Sequence, residues 1–167
     1  MGLLVGFLSR AVNENEYIRH GIGIPQPDGG IMYPFKKGLV LFGEHKAKGK
    51  NTALVTESAL DVIYAWGYGL AEEMDLFALM GAKMSKVHLE KLLAYREIIL
   101  ALDNDKGGEE GTEQIIKFLK GKVMLKKFDL FGAKDLGEVE PEDLKRLGES
   151  SKSIVESKIK SLPFKYD

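Results

Sequence analysis

REIILALDNDKGGEEGTE, residues 96–113, joins two unlike patterns. Ile98 to Leu102 is an apolar run of strand length. It stops at two aspartates one residue apart, followed by Gly107, Gly108 and a pair of glutamates. A short aliphatic run ended in this way reads as a buried strand leading through a turn into a helix. Side chains alternate along extended backbone, so Asp103 and Asp105 fall on one side with Asn104 opposite. Two carboxylates on one rim raise each other's pKa unless a cation neutralises them. Mg²⁺ or Mn²⁺ suits that task, because a hard ion takes carboxylate oxygens, keeps several waters and leaves positions open for phosphate. An ordinary exposed turn, with Lys106 as the compensating charge, fits the same residues. An EF-hand loop does not, since Gly107 and Gln114 stand where ligands are required.

Outward from this stretch the pattern repeats. Thr52 to Glu57, Leu76 to Gly81, Glu97 to Asp103 and Lys122 to Phe128 read as strands. Ser58 to Trp66, Ser85 to Tyr95 and Glu109 to Leu119 read as the intervening helices. Strands joined by helices predict an α/β fold, a mostly parallel sheet flanked by helices, with ligands bound beyond the carboxyl ends of the strands. Residues 1–50 differ, with short apolar runs, "VNENE" and the Gly/Pro-rich "GIGIPQPDGG". They predict a small β-rich segment, with a boundary near residues 48 to 51. Residues 51–135 form the α/β domain. Residues 136–167 form a helical extension, with a short helix starting at Pro141 and a terminal helix from about Ser150 to Ser161.

Composition limits the function classes. With 44% apolar residues the chain has enough for a core. A net charge of −1 gives no overall basic field, so a nucleic-acid partner must be argued from local charge. The absence of cysteine excludes a disulfide framework, a thiolate zinc site and a cysteine nucleophile. The opening "MGLLVGFLS" is too short and lacks a preceding basic segment for a signal peptide or a membrane span, so the expected location is cytoplasmic, with no membrane partner.

A second acidic element lies in "ALVTESALDVIYAWGYG". Glu57 closes a strand and Asp61 falls in the first turn of the next helix. Ser58 and Asp61 also have capping-box spacing, which employs Asp61 without any metal. The combination of an acid at a strand end, an acid four residues on, and Asp-x-Asp 46 residues after Glu57 resembles the TOPRIM domain of bacterial-type primases, topoisomerases and small nucleases. Glu57, Asp61, Asp103, Asp105 and Gly108 match the family pattern, while Ser58 replaces its usual glycine. The resemblance implies that the sheet gathers these acids around one or two divalent ions, with the glutamate near the reacting phosphate.

Further stretches resemble bacterial, DnaG-like primases. "VGFLSRAV" places Arg10 on a family arginine, with Ser9 in place of glycine. "EYIRHG" matches through Tyr17, and "YPFKKGLVLFGEHKA" places Lys37, Leu41 and Gly43 on family positions. "LFALMGAKMS" keeps Gly81, with Ala82 in place of threonine. "GAKDLGEV" puts Asp135 on an acidic metal-site position, with Gly137 where a further acid is expected. The resemblance implies metal-dependent nucleotidyl transfer for primer synthesis on single-stranded DNA, with NTPs as substrates. Glu57, Asp103 and Asp105 would be catalytic and metal-holding, Asp61 and Asp135 would support the metal, and Arg10 and Lys37 would contact nucleotide or template.

Lys36, Lys37, Lys46, Lys48 and Lys50 give this half of the chain local positive charge, which also suits plain solvated surface. With no cysteine module, the expected partners are a helicase or a separate template-reading zinc module, unless the chain is part of a larger primase. A metal-dependent nuclease using the same acids and a non-catalytic nucleic-acid-binding module remain rival readings, and a sugar-nucleotide transferase leaves Glu57 unexplained. His20, His45 and His88 have no metal-ligand spacing, and Trp66 and Tyr68 follow a helical packing pattern.

Overall fold

Glycine, proline and asparagine interrupt the first residues every few positions, and the described residues there form short antiparallel pairs. The computed structural model describes residues 6–10, 17–21, 24–25, 27–32, 36–147 and 151–153. The chain divides into two compact units, residues 1–37 and 38–167. In the first, β1 (Gly6–Arg10) pairs with β2 (Tyr17–Gly21) and β3 (Ile24–Pro25) pairs with β4 (Ile31–Met32).

The second unit runs β5 (Thr52–Thr56), α1 (Ala59–Gly67), β6 (Asp75–Ala78), α2 (Lys86–Leu92), β7 (Glu97–Ala101), α3 (Lys106–Leu119), β8 (Met124–Lys127), α4 (Pro141–Lys145) and β9 (Lys152–Ser153). The sheet order is β6-β5-β7-β8-β9, with the first four strands parallel and β9 antiparallel to β8. β5 and β7 hold the centre because their side chains are apolar on both faces, as a strand covered on both sides requires. Ala53, Val55, Ile98 and Leu100 pack with Leu89, Leu92, Ile115 and Leu119 of α2 and α3. On the other face Leu54, Ile99 and Ala101 pack with Val62 and Ala65 of α1 and with Phe128, Leu136 and Leu144. Each aliphatic side chain buried this fully is worth roughly 1.5–3 kcal/mol of transfer free energy.

Both early helices start on serine. Ser58 Oγ accepts from the Leu60 N–H at 3.1 Å and Asp61 returns a bond to the Ser58 N–H at 3.2 Å. At α2, Ser85 Oγ accepts from the His88 N–H at 3.1 Å. The side chains of α2 also lash down the segment before the sheet: Ser85 Oγ donates to the Gly38 carbonyl, His88 Nε2 bonds the Val40 carbonyl at 2.8 Å, and Lys91 Nζ donates to the Leu39 carbonyl at 2.8 Å. Phe42 and Ala78 exchange backbone bonds of 3.0 and 3.1 Å at the sheet edge. Residues 38–50 therefore belong to the second unit, although composition changes only near residues 48 to 51.

Two expected elements differ. α3 begins at Lys106 rather than Glu109, because the Asp105 side chain caps it. The expected terminal helix gives way at its start to β9, where Lys152 and Ser153 pair with Lys127 and Lys126 of the β8 edge. The rest of that expected helix lies outside the described residues. Among the described residues no helix is long and apolar enough to cross a membrane.

Candidate metal and phosphate site

The chain passes from β5 outward to β6 and then crosses back to β7 on the other side of β5. The strand order thus reverses between β5 and β7, and the crevice beyond the carboxyl ends of such a strand pair is where open α/β sheets bind ligands. Glu57 follows β5 directly, and Asp103 follows β7 after Leu102.

Local structure holds the other acids near Asp103. Asp105 is the N-cap of α3, its Oδ1 accepting from the Gly108 N–H at 2.9 Å. Gly108 is buried against the Asp103 backbone, and any Cβ there would run into the Asp103 carbonyl. That contact sets the start of α3 directly on the Asp-x-Asp turn. The Asn104 N–H donates to the Lys134 carbonyl at 2.7 Å, which brings the loop carrying Asp135 to the same place. A Cβ on Gly137 would lie 3.3 Å from Asp135 Oδ1 and 3.5 Å from Asp61 Oδ1, so these two carboxylates flank one point.

The resulting electrostatics are unfavourable for bare carboxylates. Asp61 is 2% exposed. Burial, then the charges of Asp135 and Asp103, push it up to about 7 against the lowering effect of the Ser58 and Gly137 N–H groups. Asp103 is also raised, by burial first and then by Asp135 and Asp105, with Lys134 opposing. Asp103 Oδ1 is buried and has no hydrogen-bond partner among the described residues. An orphaned carboxylate oxygen amid like charges is what a hard cation stabilises, so the donor set fits Mg²⁺ or Mn²⁺. Among the described residues no three acidic or histidine side chains form a closed ligand group. The arrangement is an open one, of the kind in which Mg²⁺ uses one or two carboxylates and fills its remaining positions with water and substrate phosphate.

The structure brings Asp61, Asp103, Asp105 and Asp135 together. Glu57 stands at the adjacent strand end, its carbonyl accepting from the Gly81 N–H at 3.1 Å, and is not among the principal charges acting on Asp61 or Asp103. It leaves β5 in phase with Ala53 and Val55, whereas Asp103 leaves β7 in phase with Ile99 and Ala101. Strand alternation therefore does not aim the two side chains to one face. Arg10 ends β1 and Lys37 closes the first unit. His88 is buried and bonded as described, and the Lys46 ammonium sits 4.2 Å from the Trp66 ring centroid, so neither His88 nor Trp66 serves this rim. Residue spacing alone gave no reason to group Asp135 with Asp103; the Asn104–Lys134 bond is what joins them.

A parallel sheet with acids at the point of strand reversal defines the class. Residues 54–139 match the Toprim-like family, and the chain belongs to it. Within that class it is similar to bacterial primases. It is 31% identical over 121 residues to the DNA primase of Mycoplasma pneumoniae, an alignment covering 69% of this chain and 18% of that protein. The structure resembles the zinc-binding and RNA polymerase domains of the Aquifex aeolicus primase, with a TM-score of 0.71, 24% identity, and coverage of 96% of this chain and 40% of that one. It also resembles the RNA polymerase domain of Mycobacterium tuberculosis primase DnaG, solved in complex with double-stranded DNA. There the TM-score is 0.64 with 20% identity, covering 93% of this chain and 52% of that one. At these identities the structural likenesses speak to the fold.

Proposed function

We propose that this chain carries the metal-dependent nucleotidyl-transfer centre of a primase, acting on a single-stranded DNA template with NTPs. The reaction joins a nucleotide 3′-hydroxyl oxygen to the α-phosphorus of an NTP and breaks its bond to the bridging oxygen, releasing pyrophosphate. Asp103, Asp105 and Asp135 would hold Mg²⁺ or Mn²⁺ with support from Asp61, and Glu57 completes the set from the β5 end. A bound ion supplies charge stabilisation to the attacking and departing oxygens.

The chain's own residues do the rest. Asp105 spends Oδ1 on α3 and keeps its second oxygen for ligation. Asp61 anchors α1 through Ser58 while its charge faces the rim. We assign the hydroxyl proton to the Glu57 carboxylate, which follows β5 directly at the strand reversal. Arg10 and Lys37 are assigned to template or nucleotide phosphates, contacts that carry no sequence information. Helicase or zinc-module partners follow from the same reading. The A. aeolicus structure includes a zinc-binding domain, and the chain spans 18% of its M. pneumoniae relative.

The observation that carries this reading is the buried Asp103 Oδ1, without a hydrogen-bond partner among the described residues, beside Asp61, Asp105 and Asp135 at the strand reversal. The test is primer synthesis from NTPs on single-stranded DNA with Mg²⁺ or Mn²⁺, supplemented where needed by the template-reading module. Asp103→Asn should abolish synthesis without unfolding the chain. Cleavage of RNA or DNA in the absence of NTPs, with no synthesis, would establish the nuclease reading instead.

A further inference from the structure

One lysine lies beside the acidic rim. Lys134 is exposed, and its carbonyl receives the Asn104 N–H at 2.7 Å, which fixes residue 134 beside the Asp-x-Asp turn and one position before Asp135. Lys134 makes no ion pair among the described residues. Two lysines elsewhere in the unit are held in close ion pairs, Lys91 with Glu44 at 2.6 Å and Lys126 with Glu97 at 2.8 Å. Lys106, at the start of α3, stands 3.9 Å from Glu110.

A lysine fixed beside the Asp-x-Asp turn and in ion-pair contact with no carboxylate among the described residues is poorly explained as a neutraliser, which would sit in contact with an oxygen. It suits a ligand that brings its own negative charge to the rim. A triphosphate has more charge than a divalent ion beside the carboxylates neutralises, and its β- and γ-phosphates extend past the α-phosphate where the reaction occurs. A flexible ammonium is a good point-charge partner for such oxygens.

We propose that Lys134 binds the β- and γ-phosphates of the incoming NTP and remains with the departing pyrophosphate. This rests on the nucleotidyl-transfer reading above. The test is calorimetric titration of the full chain and of Lys134→Ala with Mn²⁺ alone, Mn²⁺·ATP and Mn²⁺·AMP. Lys134→Ala is expected to weaken Mn²⁺·ATP about tenfold, the loss of one charge-assisted contact, and Lys134→Arg to retain most of the affinity. Affinity for Mn²⁺ alone, affinity for Mn²⁺·AMP and the melting temperature should stay unchanged. Equal ATP affinity in the alanine variant overturns the assignment, as does a loss shared by AMP or by the bare metal, which would make Lys134 a neutraliser of the acids. A wild-type chain that binds Mn²⁺ but no ATP would remove the nucleotidyl-transfer reading itself.

Discussion

The two ends of the parallel sheet each bury an aspartate, and they treat it in opposite ways. Asp61, beside the carboxyl ends of the strands, and Asp75, at the start of β6, are 2% and 3% exposed. At Asp75, burial raises the pKa, but four donors outweigh it and leave the group below its ordinary value. The N–H groups of Lys48, Gly49 and Lys50 approach at 2.8, 2.9 and 3.0 Å, and the Tyr95 hydroxyl at 3.0 Å. At Asp61 two N–H groups act against burial and two further carboxylates, and the pKa rises to about 7. One residue type at matched burial thus acts as a lock where donors converge and stores repulsion where acids converge. The first arrangement is complete within the chain, whereas the second would be relieved by a bound cation.

The largest expected effect is at the lock. Asp75→Ala leaves three N–H groups and a hydroxyl without their acceptor and should cost about 4 kcal/mol in urea unfolding. Because the folded pKa of Asp75 is lowered, the unfolded state binds more protons below about pH 4. Its contribution is therefore complete above that pH and disappears as pH falls through the folded value. A variant that loses less than about 1 kcal/mol would show that the loop of residues 48–50 finds other acceptors, and the contrast between the two ends would fail.

At the acidic end the sign reverses. With its pKa raised from 3.8 to about 7, Asp61 keeps in the folded state a proton that the unfolded chain has released. Stability of the metal-free protein should therefore fall as pH rises from about 4 to about 7 and level off above. Asp61→Asn keeps an acceptor for the Ser58 N–H and removes the charge. It should flatten that slope and raise stability at pH 8 by on the order of 2 kcal/mol, measured by denaturant titration in chelator. A destabilised variant with the slope unchanged would mean that Asp61 serves the helix start alone.

Much of the framework was legible because its signals are local. The apolar runs at Thr52–Thr56 and Glu97–Ala101 and the serines that start α1 and α2 fall within a residue or two of the observed elements. The start of α3 was not, since Lys106, Gly107 and Gly108 read as turn residues until the Asp105 cap and the close approach of Gly108 to Asp103 are visible. The acids at 57, 61, 103 and 105 were readable from spacing, whereas their grouping, and that of Asp135 with them, came only from the resemblance. In the structure Asp135 enters through one backbone bond, Asn104 to Lys134. The Asp75 lock left no trace in residue types, because three of its four donors are backbone N–H groups.

The smallest change tests whether that lock is mainly backbone or side chain. The Tyr95 ring stacks edge-on against Phe77 with centroids 5.5 Å apart, so Tyr95→Phe keeps the packing and deletes only the hydroxyl. Burial and the bond to Asp75 both raise the Tyr95 pKa, so the hydroxyl stays protonated and remains a donor across the neutral range. Its removal should cost about 1 kcal/mol, the net worth of one hydrogen bond to a charged acceptor that keeps three others. The pKa of Asp75 should move up at the same time, so acid unfolding should begin at higher pH than in the wild type. If Tyr95→Phe costs as much as Asp75→Ala, the hydroxyl organises the loop and the three N–H groups follow it. If it costs nothing and leaves the acid limb in place, the backbone donors saturate the carboxylate by themselves. The acidic end would then differ from this one by lacking a loop of consecutive N–H groups rather than by lacking side-chain donors.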